Sequence, residues 1–290
     1  MSKFIVTTDS GCDLPLEFCN ERQIIPMRLS YAVDGVEHED TMQPADLKAF
    51  YDAMRSGAAP KTSQGTPYQF EQFWTPLLEE GKSIIHICLG SGISGTYANG
   101  VQTAQMMMAE HEGADIRIVD STLASVGYGM LAILAADMRD NGATADECVA
   151  ELERVKGNIN TYYTTGNLEY LYRNGRVSRA GMTIAHTLNI WPILNLDLDG
   201  HLIVQAKERG RKKTIEHIHK TIQELCVEPE KQTLFICHSD VEDDAKAFGE
   251  AIKEKFGFRD VFYTYIGTTI GANCGPGLVA AFFTGKKRTN

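Results

Sequence analysis

Short, β-branched apolar runs alternate along this chain with segments of helical period, and that alternation limits the possible folds more than any single motif. In the first half "KFIVTT", "IIPMRLSYAV", "KSIIHICLG" and "DIRIVDS" each lead into a loop and a helix-like stretch. Such spacing predicts parallel strands joined by crossover helices. In the second half "NINTYYTTG", "QTLFICHS" and "DVFYTYIG" repeat the idea, separated by amphipathic helices. There "DLDG" lies between "PILNL" and "HLIVQAK" as a hairpin signal, so the second sheet is expected to be mixed. The helical segment 144–158, "TADECVAELERVKGN", ends at a Gly-Asn pair and marks the expected junction. A chain of 290 residues is long enough for two cores. We therefore expect an N-terminal α/β domain over 1–158 and a C-terminal α/β domain over 159–290. No fixed-period repeat or low-complexity tract is present.

Composition narrows the class of partner. The formal net charge of −10 argues against nucleic acid, because a phosphate backbone is held by clustered positive charge. No run approaches the ~18 apolar residues that span a bilayer. Met1-Ser2-Lys3-Phe4 leads directly into a strand without the apolar core of a signal peptide, so a cytoplasmic location is expected. The seven cysteines are odd in number and scattered, with no C-x-x-C pair, which argues against a disulfide framework or a structural zinc. They are expected to be reduced and mostly in the core.

Open α/β sheets bind ligands beyond the carboxyl ends of their strands. Hydroxyls and glycines concentrate at those positions here: Thr8-Asp9-Ser10-Gly11, Ser91 through Thr96, Asp120-Ser121-Thr122, and "GTTIGANCGPG" from Gly267 to Gly277. A fifth stretch, Lys61 to Pro67, precedes a helix with Thr66 as its N-cap and Pro67 in its first turn. Helix N-termini present unpaired N–H groups, so several around one crevice can hold a carboxylate or phosphate without a lysine. The competing reading is that each Ser or Thr merely caps its own helix.

Gly90, Gly92 and Gly95 also fit the dinucleotide pattern G-x-G-x-x-G, with Asp120 as the ribose-binding acid, so a nucleotide- or dinucleotide-dependent enzyme is the alternative function. Other chemistry is sparse. His86 is mid-strand and expected in the core. His217 and His219, two apart, face different sides of their helix and cannot share a metal. His238-Ser239-Asp240 is too local for a hydrolytic triad, and Ser239 or Asp240 is expected to cap a helix. The basic cluster Lys207, Arg209, Arg211, Lys212, Lys213 is either a solvated face or a docking patch for an acidic partner or anionic lipid surface.

Taken together, "TDSGCDLP", "KTSQGTP", "GSGISGTY", "VDSTLASVGYG", "LEYLYRNGRVSRA", "LNIWPIL" and "IGTTIGANCGPG" resemble the DegV family, the fatty-acid-binding proteins that serve bacterial fatty acid kinase. The resemblance spans essentially the whole chain. It implies a two-domain α/β fold with a fatty acid at the domain interface, a carboxylate held by hydroxyls and backbone N–H groups, and no catalysis or cofactor of its own. By motif position the carboxylate ligands fall on Thr62 and Ser94, with the backbone of Ser63 and Gly95 close by. Asn273 stands where the family commonly has a histidine; its amide still donates a hydrogen bond but cannot become cationic. Arg176 and Ser121 are the expected head-group or partner contacts, Arg176 having a helix-end structural role as the alternative. The implied partner is an ATP-using kinase subunit that converts the bound acid to an acyl phosphate for phospholipid synthesis. From the basic cluster, Lys212 and Lys213 are expected to contribute to docking on the kinase partner or to transient contact with a membrane surface. Candidate tunnel walls are Ile184, Leu188, Ile190, Trp191 and Ile193, which could equally be plain core.

Overall fold

The structure, a computed structural model, describes residues 4–177 and 190–289. The first half builds a four-stranded parallel sheet in the order β2-β1-β6-β7, from β1 (Phe4–Asp9), β2 (Ile24–Met27), β6 (Ser83–Cys88) and β7 (Ile116–Asp120). The crossovers are helices, as the alternation predicts: α1 (Leu16–Glu21) leads into β2, and α4 (Thr96–Glu110) joins β6 to β7. Helix α3 (Pro67–Leu78) begins with a capping box in which Thr66 and Gln69 satisfy each other's backbone N–H groups. It places Phe70 and Trp74, both fully buried, over His86. His86 is therefore a core residue, and burial alone holds its imidazole down to about 3.

The run "IIPMRLSYAV" is not one strand. It supplies the edge strand β2, where Pro26 needs no ladder partner, and then β3 (Ser30–Val33) of a separate antiparallel sheet. Leu29 makes the break, its N–H donating to the Ser10 hydroxyl at 3.1 Å. Strand β3 turns through Asp34 and Gly35, both with positive φ, into β4 (Val36–Glu39), and pairs on its other side with β5 (Lys61–Thr62). The Asp-Gly pair was the available hairpin signal. Helix α2 (Pro44–Arg55) packs beside this small sheet, its Phe50 ring edge-on to Tyr31.

The second half forms a six-stranded mixed sheet in the order β10-β9-β8-β13-β11-β12. Its strands are β8 (Ile159–Thr164), β9 (Ile190–Leu196), β10 (Leu202–Arg209), β11 (Thr233–His238), β12 (Asp260–Tyr265) and β13 (Val279–Thr284). Strands β9 and β10 form the hairpin read from "DLDG". Two helices, α8 (Arg211–Leu225) and α9 (Glu242–Phe256), pack against this sheet, and α10 (Thr268–Cys274) follows β12. After β8 comes the short helix α7 (Glu169–Arg173). Ser239 and Asp240 do not cap α9. Ser239 accepts from the Leu278 N–H at 2.7 Å, and Asp240 pairs with Arg55 and Tyr265. The start of α9 is instead met by His238, whose Nδ1 accepts from the Val241 N–H at 3.3 Å.

Helix α5 (Val126–Asp140), "VGYGMLAILAADMRD", is apolar nearly all round, the mark of a buried helix. It lies between the two large sheets, touching β1 and β6 on one side and β8 on the other. A single cluster of buried side chains consequently runs from Phe4 and Val6 through Leu131 and Ala135 to Leu194 and Phe282. Helix α6 (Ala145–Val155) closes with a 3-10 turn at Lys156–Asn158 before β8. All seven cysteines are free, and all but Cys226 are buried.

At the end of β1, Asp9 is fully buried and accepts from Gly11 N–H, Leu89 N–H and the Tyr128 hydroxyl. Desolvation outweighs these three bonds and raises its carboxyl to about 6. The folded state thus holds a proton that the unfolded chain releases near pH 4, so the stability from this group is full below pH ~4 and is lost as pH rises through ~6. Asp9→Asn, neutral at every pH, should therefore gain in melting temperature relative to wild type between pH ~4 and ~6, by the equivalent of about 3 kcal/mol at most. Parallel melting curves of the two proteins across that range test the sign.

Candidate ligand-binding site

Several strand-to-helix loops and turns meet around a cavity of about 320 Å³, inside the range of roughly 300–1,000 Å³ usual for small-molecule sites. One end is polar: Thr62, Ser63 and Gln64 after β5, Ser94, Gly95 and Thr96 before α4, and Asn273 on α10. The remainder is mostly aliphatic, with Leu29, Leu89, Leu194, Leu196, Ile266 and Leu278 among its walls. The cavity thus draws on the parallel sheet, the small sheet and the mixed sheet together.

Hydrogen bonds lock the polar loops into one unit. The Gly65 N–H donates to the Thr96 hydroxyl at 3.0 Å, and Asn99 Nδ2 donates to the Gly65 carbonyl at 2.8 Å. The Ser94 and Thr96 hydroxyls are 2.9 Å apart, and Ser94 Oγ also accepts from the Thr96 N–H at 3.2 Å. Ser94 therefore steadies the start of α4 and lines the cavity at once. From the opposite side Asn273 Nδ2 donates to Thr62 Oγ1 at 3.4 Å and to the Thr269 carbonyl at 2.9 Å. This pair, 211 residues apart, ties β5 to α10.

The expected residues divide by position. Thr62, Ser63, Ser94, Gly95, Asn273 and Arg176 all line the cavity. The Ser63 N–H, however, is engaged by the Ser30 carbonyl at 3.1 Å, continuing the β3–β5 ladder, which leaves only its exposed side chain to face a ligand. Ser121 is fully buried away from the cavity lining; its hydroxyl accepts from the Leu123 N–H at 3.1 Å and shapes the turn after β7. Arg176 is exposed at the rim, where its guanidinium bonds the Asn174 carbonyl while Asn174 in turn reaches Ala272 on α10.

Of the wall candidates, Ile184 and Leu188 lie outside the described residues. Ile193 points to the opposite face of β9, into a second core with Ile218 and Ile222. The alternation of a strand puts Leu194 and Leu196 on the cavity side instead. Ile190 and Trp191 are partly buried, with Trp191 under the Arg211 guanidinium at 6.0 Å. Walls from Leu29, Leu89 and Leu278 carried no local signal that set them apart from core.

The glycine loop is built for close packing. A Cβ at Gly92 would stand 2.5 Å from the backbone of Asp199 and Gly200, so the β9–β10 turn rests directly on it. Asp120 braces the same loop, accepting from Ser91 N–H at 3.1 Å, Ser91 Oγ at 2.6 Å and Thr122 N–H at 3.1 Å. With that carboxylate turned onto Ser91 and the β9–β10 turn seated on Gly92, the arrangement required of a dinucleotide fingerprint is missing. A more open groove of about 460 Å³ shares Ser94, Gly95 and Arg176 with the cavity and adds His201.

Two groups bring potential metal ligands within 4.8 Å of one another: Asp9, His86 and Cys88, and Asp197, Asp199 and His201. Both Asp9 oxygens already accept protein hydrogen bonds, and Asp197 Oδ1 accepts from the Asp199 and His201 N–H groups. No helix of the described residues is long and apolar enough to cross a membrane.

The α/β scaffold thus encloses a cavity in which hydroxyl- and amide-bearing loops lie together and most other walls are aliphatic. The sequence profile of the DegV family, described as uncharacterised proteins, matches residues 3–286. A DegV domain-containing protein of Clostridium perfringens is 35% identical over 98% of both chains, and one from Caldanaerobacter subterraneus is 31% identical over 99% of this chain and 100% of its own. The chain belongs to the DegV family. Among solved structures it is similar to a DegV lipid binding protein from Thermotoga maritima, at 26% identity and a TM-score of 0.85 over 99% of this chain and 100% of the other. It is likewise similar to DegV of Bacillus subtilis, described as a fatty acid binding protein, at 26% identity and a TM-score of 0.86 over 99% and 100% of the two chains.

Because backbone, not a flexible side-chain end, meets the Gly92 position, Gly92→Ala should push the Ser91–Gly95 loop off the β9–β10 turn at a cost of about 1–3 kcal/mol. Thermal melting should record the loss, whereas Gly113→Ala, at a positive-φ glycine with open space around it, should melt above Gly92→Ala. Equal melting of Gly92→Ala and wild type would show that the turn does not rest on the loop.

Proposed function

We propose that this protein binds a long-chain fatty acid, with the acyl tail in the aliphatic part of the cavity and the carboxylate at its polar end. The observation that carries this reading is the cavity itself, where Thr62, Ser63, Ser94 and Asn273 group together and most of the other walls are leucine and isoleucine. Thr62 Oγ1 and Ser94 Oγ supply donors to the carboxylate, with the Gly95 N–H at the start of α4 and the Ser63 side chain beside them, and Asn273 Nδ2 joins them by giving up its long bond to Thr62. Asn273 acts as a neutral donor, so head-group binding does not require protonation of the residue at this position. Each methylene enclosed contributes about 0.8 kcal/mol, which is how an apolar chain is carried through water. The Thermotoga and Bacillus proteins described as binding lipid or fatty acid support the assignment.

In this reading the protein has no catalytic step of its own and no cofactor. It holds the acid across two units, 1–158 and 159–290, and presents the head group to a separate ATP-using kinase subunit in the cytoplasm. Arg176, exposed and lining the cavity, is the proposed contact for that partner. Lys212 and Lys213, exposed in the first turn of α8, are the proposed contacts for the partner or a membrane surface.

Two experiments test the binding claim. Denaturing the purified protein and extracting it for mass spectrometry should release fatty acid, and delipidated protein should rebind it; finding neither would remove the proposal. Replacing Thr62 and Ser94 together with alanine takes away two charge-assisted donors worth about 1.5–3 kcal/mol each, so affinity should fall by a hundredfold or more while the chain stays folded. Unaltered affinity would mean that the head group sits elsewhere. Dinucleotides should leave the melting temperature unmoved, whereas a true ligand at 100 times its Kd adds about 2.7 kcal/mol.

A further inference from the structure

Gly95, the residue just before α4, is not a glycine for the sake of its backbone. Its φ is −79°, in the region open to every residue. Space explains it instead. A Cβ built on Gly95 would stand 2.0 Å from Gln64 Oε1 and 3.0 Å from Gln64 Cδ, with Nε2 at 3.6 Å, so the side-chain amide of Gln64 lies directly on this residue. Both residues line the cavity.

The backbone on either side of Gln64 is pinned. The Ser63 N–H donates to the Ser30 carbonyl at 3.1 Å, and the N–H and carbonyl of Gly65 are taken by Thr96 and Asn99. The side chain itself is exposed and makes no hydrogen bond among the described residues. A glutamine amide carries two N–H donors. Gln64 thus brings two unused donors, on a fixed stem, to the Ser94–Gly95 turn.

The neighbouring ligands are short of donors. Both N–H groups of Asn273 are engaged, by the Thr62 hydroxyl and the Thr269 carbonyl, and the Ser94 and Thr96 hydroxyls are occupied with each other at 2.9 Å. A carboxylate offers about four lone-pair sites. With asparagine at position 273, no positive charge stands among these groups, so they hold a head group by the number of their neutral hydrogen bonds.

We propose that Gln64 is a further ligand of the carboxylate, donating from Nε2 while its amide rests on Gly95. This rests on the fatty-acid reading above and adds a residue to its site. Gly95 then serves twice: its N–H meets the head group, and its missing Cβ makes room for the amide beside it.

The test uses delipidated wild type and the variants Gln64→Ala, Gln64→Glu, Gly95→Ala and the combined Gln64→Ala, Gly95→Ala. The probes are hexadecanoic and octadecanoic acid at neutral pH. Gln64→Ala should weaken binding about tenfold. Gln64→Glu keeps the length of the side chain but has no N–H, and should weaken binding at least as much. Gly95→Ala displaces the amide and should cost a similar factor alone, yet add nothing in the Gln64→Ala background, where the interaction is already gone. Every variant should melt near wild type, because Gln64 is exposed and the new Cβ meets only the end of a flexible side chain. The proposal is overturned if Gln64→Ala or Gln64→Glu keeps wild-type affinity, or if the Gln64→Ala and Gly95→Ala losses multiply in full. Any of these results with wild type binding either acid defeats this inference alone, whereas wild type that binds neither acid defeats the fatty-acid reading with it.

Discussion

The site depends on one buried carboxylate. Asp13 is 4% exposed, and its Oδ1 accepts from the Gly267 N–H at 2.8 Å while Oδ2 accepts from the Ser125 hydroxyl. Its backbone carbonyl accepts from the Thr264 hydroxyl as well. One residue in the loop after β1 thereby fixes the start of α5, the end of β12 and the approach to α10. Burial pushes the Asp13 carboxyl well above the usual range, and the Ser125 and Gly267 bonds oppose that shift. Removing one partner of a buried hydrogen-bonded set leaves the others unsatisfied, at a cost of about 1–3 kcal/mol. The arrangement is costly to disturb, which suits a joint that must hold cavity walls from separate sheets in register.

Helix α5 makes that joint possible. Small residues let it lie close to both sheets: a Cβ on Gly129 would meet the Cys12 carbonyl at 2.8 Å, and one on Gly127 would meet the Phe282 ring at 3.1 Å. At the far end, buried Arg288 donates to the Thr122 carbonyl and hydroxyl and to the Leu196 and Asp197 carbonyls. The β9–β10 turn is thus held from below by Arg288 and seated above on Gly92. A hydrophobic helix shared by two sheets and an arginine clamp at the edge give the cavity rigid walls, so a ligand meets a surface that is largely formed in advance.

Much of the architecture was legible because periodicity reports local environment. Strand runs of period two and helices of period 3.6 gave the parallel sheet, the mixed sheet and the β9–β10 hairpin. The residues that carry the DegV resemblance, Thr62, Ser94, Gly95 and Asn273, converge on one cavity. Errors arose where a side chain's partner is distant in sequence. Ser239 and Asp240 have the right types for capping, yet distant partners at Leu278 and Arg55 claim them, whereas Ser121 is taken by the Leu123 N–H two residues on. Ile193 and Leu194 are equally apolar, and only the facing layers decide which one borders the cavity.

By itself, then, the sequence determined which segments are strands and helices, which loops carry hydroxyls, and that Asn273 cannot supply a positive charge. These follow from the chemistry of neighbouring residues. Tertiary structure decided that Asp120 braces Ser91 in place of a ribose and that the Ser63 N–H continues a ladder. Each of those outcomes depends on how donors and acceptors from remote segments are matched once they are brought within 3 to 4 Å, and no local pattern encodes that matching.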